Sequence, residues 1–130
     1  MAEKINWTLN VQVVGGPKMS ASKTMTVDAY DKIEVVISDG ATDEEVQVQP
    51  GGSGQVQFLL ISSDQYGGDL TYKVNVGTAD PIKLDAQQLL MGDGAVGLLG
   101  AAPEKLLFSN GLGNDASIQI LVGRIATTTP

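Results

Sequence analysis

Gln55–Val76 reads QVQFLLISSDQYGGDLTYKVNV, two alternating runs on either side of a join rich in turn formers. In the first run Val56, Phe58 and Leu60 share a face, with Gln55 and Gln57 between them. In the second, Leu70, Tyr72, Val74 and Val76 oppose Thr71, Lys73 and Asn75. A period of two is that of a strand with one face on a core. In the join, Gly67 and Gly68 supply positive φ at little cost. The stretch therefore predicts a central antiparallel pair in an all-β domain.

Toward the N-terminus, Ile5, Trp7, Leu9, Val11 and Val13 alternate with Asn6, Thr8, Asn10 and Gln12, and Gly15-Gly16-Pro17 ends the run. Trp7 is in register with four aliphatics, which predicts a core anchor rather than a ligand platform. Residues 18–23, KMSASK, are small and polar and read as a loop. Short strands are expected over 23–28, 32–38 and 45–49; in the second, Ile33, Val35 and Ile37 point inward and Val36 outward. Pro50-Gly-Gly-Ser-Gly54 lacks the lysine and the following helix of a phosphate-binding loop. It leads into a strand instead.

Toward the C-terminus the pattern changes. Residues 82–108 hold a cluster of leucines broken by Gly92, Gly94, Gly97 and Gly100. Asp85 could cap a short helix over 86–91 with Gly92 just past its end. A long glycine-punctuated apolar connection is unusual in a small domain. Such a segment either covers an open end of the core or makes contact with another chain, and its apolar content favours contact. Strands are then expected over 105–109 and 116–124, joined through Asn110-Gly111, with Ile118, Ile120 and Val122 inward and Leu121 outward.

Eight strands result, over 4–14, 23–28, 32–38, 45–49, 55–62, 69–76, 105–109 and 116–124. All five prolines fall outside their interiors. The expectation is a single domain over 1–130, with 126–130 a frayed tail. Its fold class is an all-β, antiparallel two-sheet β-sandwich, jelly-roll-like, with at most one short helix.

Composition narrows the chemistry. The chain has no cysteine and no histidine. Disulfides, thiolate or imidazole metal sites, cysteine nucleophiles and serine triads are excluded. A net charge of −7, with eight Lys and Arg scattered along the chain, does not suit phosphate backbones or anionic membranes. MAEKINWTLN has neither the charged start nor the apolar run of a Sec signal, and no apolar run is long enough to span a membrane. Synthesis in the cytoplasm is expected. The acidic stretch Asp39–Glu45 places its glycine too early for a Ca²⁺ loop, and no metal or cofactor is expected.

The outward faces carry a surplus of apolar residues: Val36, Leu59, Ile61 and Leu121, joined by Leu89, Leu90, Met91, Leu98 and Leu99. Several together predict a permanent homo-oligomer, and the residues expected at its interface are Leu59, Ile61, Leu89, Leu90, Met91, Leu98, Leu99 and Leu121. No family motif is present. In overall character the chain is similar to small capsid, decoration or head-completion subunits of tailed phages and related viruses, which are often Gly-, Thr- and Ala-rich β-sandwiches. That resemblance implies a structural subunit taken into a virion, partnered by itself as a trimer ahead of a dimer, and by other virion proteins. Two other readings compete. A carbohydrate- or ligand-binding module would use Tyr30 and Tyr66, and a Ca²⁺ site at Asp39, Asp43, Glu44 and Glu45 would favour it. A carboxylate-driven glycosidase needs two acids facing across a cleft, for which the sequence gives no signal.

Overall fold

The computed structural model describes residues 3–49, 54–100 and 102–126. Among them are ten strands: β1 Glu3–Gln12, β2 Lys18–Val27, β3 Ala29–Ile37, β4 Glu44–Gln47, β5 Gly54–Ser63, β6 Leu70–Val74, β7 Ile82–Lys83, β8 Gln88–Met91, β9 Lys105–Asn110 and β10 Ala116–Ala126. The one short helix, α1 (Asp93–Val96), runs into a 3-10 turn, Gly97–Leu99. All strand pairs are antiparallel.

The strands form three sheets. One has the order β3-β10-β5-β8, a second the order β4-β9-β6-β7, and β1 pairs with β2 alone. The two four-stranded sheets share one core. Ile37, Leu59, Ile61, Ile118, Ile120 and Val122 enter it from the first; Val46, Leu70, Tyr72, Val74, Leu106 and Phe108 enter it from the second. Tyr72 and Phe108 are cross-strand partners with ring centroids 5.7 Å apart and planes at 45°, a tilted geometry that aromatic pairs favour. The molecule is sandwich-like, with an added two-stranded sheet.

Several expectations change. β5 and β6 are not a pair: β5 lies between β10 and β8, and β6 lies between β9 and β7. The six residues between them are too many for a tight hairpin turn. They are enough to carry the chain across the roughly 10 Å from one sheet to the other. Residues 18–23 are not a loop but the first half of β2. Residues 88–91 are a strand on β5 rather than helix, and the helix follows at α1. β10 runs to Ala126, the first residue of the expected tail, and 127–130 lie outside the described residues. Of the loop Pro50–Gly54, only the backbone of Gly54 is described, as the start of β5.

The register of β5 departs most from the expected one. Gly123 faces Phe58 and Arg124 faces Val56, so Gln57 has no counterpart on β10. This is a β-bulge, and one extra residue sends every later side chain of β5 to the opposite face. Leu59 and Ile61, expected outside, are therefore in the core with 1% exposure each. Leu60, expected inside, lies outward beside Leu121 and is half-buried. The 82–108 segment covers part of the core. Leu84, Val96, Leu106 and Phe108 are buried in the core, and Leu90 and Leu99 pack against it. Leu89 and Leu98 stay exposed.

Candidate interaction surface

The strand pair β1–β2 defines the surface. Its register sets Ile5 opposite Met25, Trp7 opposite Lys23, Leu9 opposite Ala21 and Val11 opposite Met19. Directly opposed residues share a face, so these eight make one face, apolar but for Lys23. The other face is Lys4 and Thr26, Asn6 and Thr24, Thr8 and Ser22, Asn10 and Ser20, Gln12 and Lys18. It is polar along its whole length, and Thr24 Oγ1 donates to Asn6 Oδ1 at 2.6 Å. At the tip, Gly16 N donates to Val13 O and Val13 N to Pro17 O. Gly15 has φ +75, a conformation that glycine adopts without strain.

The base of this arm sits on the outer side of the first sheet. A Cβ on Gly123 would lie 2.7 Å from Ile5 Cδ1, 3.2 Å from Val27 Cγ1 and 3.4 Å from Phe58 Cβ. A side chain there would force the Ile5 tip and Val27 to shift, so the glycine favours this close approach of the arm to β10. Val27 and Phe58 are buried there, outside the central core cluster. Phe58 is thus buried as expected, but under the arm rather than between the sheets. Farther along, Trp7 and Met25 line a cleft with Met91 and Gly92, at the β8 edge. Trp7 is half-buried at this edge and is not a central core anchor.

Beyond Trp7 the arm leaves the body. Every residue from Thr8 to Thr24 is exposed. On the apolar face Leu9, Val11 and Met19 keep 42%, 53% and 76% of their surface, and Val14 at the tip keeps 99%. The distal arm is thus an amphipathic ribbon whose apolar side is uncovered. An isolated two-stranded ribbon is marginally stable in water, and an exposed apolar row of this kind makes the distal arm a candidate contact surface.

Beside the seated base, a row of outward residues runs across the same sheet. Leu121 faces Leu60 and Leu60 faces Leu89. Leu60 and Leu121 are half-buried and Leu89 is exposed. Of the residues expected at an interface, this row contains Leu89 and Leu121, and Met91 lies next to it under Trp7. Leu98 and Leu99 are elsewhere. They line a groove with Val74, Val76, Ala79 and Ile82 at the end of the second sheet, where Leu98 keeps 81% exposure. The expected interface residues therefore divide among the core, the β8 side of the first sheet and this groove. The arm itself was not foreseen. Its signal was present in the alternation of Met19, Ala21, Met25 and Val27 with Ser20, Ser22, Thr24 and Thr26.

The residues weighed for chemistry are engaged structurally. Asp43 pairs with Lys73 at 3.2 Å, and its backbone N–H donates to Ser109 Oγ. Asp39 Oδ1 accepts from Gly113 N. Among the described residues, no group of three or more Asp and Glu is placed to hold a metal ion. Tyr66 accepts a hydrogen bond from Ser63 N at 3.0 Å. Tyr30 is opposite Gly123, toward the other end of the sheet, so the two tyrosines do not form one platform. Burial pushes the Tyr72 hydroxyl up to about 12; it donates to Gln88 Oε1 at 2.5 Å. Arg124 and Asp31 form an ion pair with side chains 8% and 18% exposed. No described helix is long and apolar enough to cross a membrane. No protein-family model, curated protein or solved structure matches the chain.

Proposed function

We propose that the chain is a non-enzymatic structural subunit that assembles with copies of itself, in the manner of a capsid, decoration or head-associated protein of a virus-like particle. The uncovered apolar face of the arm is the observation that carries this reading. A soluble chain gains nothing from holding Leu9, Val11, Val14 and Met19 in water, whereas an assembly covers them. The strand order supports the architecture. The order β3-β10-β5-β8 facing β4-β9-β6-β7 supports reading β3–β10 as an eight-stranded jelly roll, with the arm as an N-terminal addition. Closed symmetry is the default for identical chains, and a trimer is preferred to a dimer by analogy with capsid-type subunits. Copies of itself, and other particle proteins, are the partners; nucleic acid and membrane are not.

The test is the solution mass at low micromolar concentration, measured by light scattering coupled to size exclusion. A discrete multiple of the 13.5 kDa chain is expected. A single-chain mass across that range would remove the reading.

A further inference from the structure

The geometry points to arm donation: the distal half of β1–β2 lies on the Leu89–Leu60–Leu121 row of a neighbouring copy, each copy giving one arm and receiving one. This rests on the self-assembly proposed above and names the surfaces that make it.

Three observations select a second copy as the occupant. The first is that the arm already shows what its apolar face fits. Its base, through Ile5 and Val27, is seated on the outer face of the β3-β10-β5-β8 sheet at Gly123 and Phe58. The distal half repeats the same pattern but has left that sheet over the β8 edge. The free row Leu89–Leu60–Leu121 is adjacent to the occupied one on the same face. A neighbour approaching across its own β8 edge would present this row to the overhanging arm.

The second is length. Thr8–Gln12 extends about 17 Å at 3.3 Å per residue, and the row crosses three strands, about 10 Å at 4.8 Å per step. The overhang is long enough to cover the row and leaves the Val13–Pro17 tip beyond it.

The third is charge. The arm holds Lys4, Lys18 and Lys23, three of the chain's eight Lys and Arg, but only Glu3 of its 15 acids. The rest of the chain is strongly acidic. An arm of net positive charge is attracted to the body of another copy, while two bodies repel each other. The polar Ser, Thr and Asn face of the donated arm then becomes the outer surface.

The chain has no cysteine, so single substitutions allow clean crosslinking. Val11→Cys and Leu89→Cys chains are co-expressed and oxidised, and Val11→Cys with Glu45→Cys serves as control. Glu45 is exposed on the other sheet, and all three sites are exposed enough to leave folding intact. Mass by light scattering is read on the same samples before oxidation. The expected result is an oligomer in which the Val11–Leu89 disulfide forms at least tenfold faster than the Val11–Glu45 control. An oligomer without that preference overturns arm donation to this row and leaves self-assembly standing. A monomer overturns both.

Discussion

Gly123 has no side chain, and the arm is seated through that gap. Gly123→Val would push into Ile5 and Val27, and overpacking of this kind costs about 1–3 kcal/mol. Trp7 is the chain's one tryptophan and lines the cleft at the arm's base, so its fluorescence reports the seat. Red-shifted emission in Gly123→Val, with the far-ultraviolet strand spectrum retained, is expected; unchanged emission would mean that the arm does not bear on Gly123. The bulge at Gln57 gives a second test. Leu59→Ala should cost about 2–5 kcal/mol as a core truncation, whereas Leu60→Ala should cost less and act mainly on association. Equal stability losses in a monomeric background would place the bulge elsewhere. Tyr72 supplies a pH dependence. Its hydroxyl ionises near 10 in an unfolded chain and at about 12 in the folded one. The neutral form is favoured by the fold, so this contribution is complete below pH 10 and is lost as pH rises from 10 to 12. Denaturant titrations of native and Tyr72→Phe protein should show a steeper alkaline loss in the native chain. Parallel curves would show that Tyr72 does not titrate there.

At the level of elements, the distal half of the β1–β2 arm is the part that, in the proposed assembly, draws its stability from a neighbouring copy. In a state held as a monomer, its backbone from Thr8 to Thr24 has exposed side chains on both faces and should open with little free energy. Amide exchange is the measurement: rapid in the distal arm of a monomer, protected in the assembly. Protection that does not change with association would show that the arm is stable alone. The arm also shows how far sequence pattern reaches. The alternation in β1 was readable, since Ile5 to Val11 repeat every second residue. What the apolar face touches was not, because an uncovered ribbon and a core strand have the same period. β2 was obscured by Ser20, Ser22 and Thr24, whose small polar side chains resemble a loop when read without their partner strand. Likewise Asp85 and Gly92 bracket 86–91 like the caps of a short helix, whereas the place of β8 is set by pairing with β5 rather than by local preference. The bulge left no local mark, since a single unpaired residue is defined only by the strand opposite.

For the whole molecule, the all-β antiparallel character was legible in the strand periods and in the placement of the prolines. The pairing of strands was not. β3 and β10 are hydrogen-bonded neighbours although far apart in sequence, and nothing within either strand specifies the other. The apolar surplus was also legible in amount but not in position: Leu59 and Ile61 fill the core, while Leu9, Val11, Met19, Leu89 and Leu98 remain outside. In the proposed assembly the arm's apolar face holds copies together. The most direct test is the light-scattering mass of the native chain beside Val11→Asp with Met19→Asp. Both sites are exposed in the single chain, so the double change should leave fold and thermal unfolding of the sandwich intact. A discrete oligomer is expected for the native chain and a single-chain mass for the variant. A variant that keeps the native oligomeric mass, with its strand spectrum unchanged, would contradict this role of the arm.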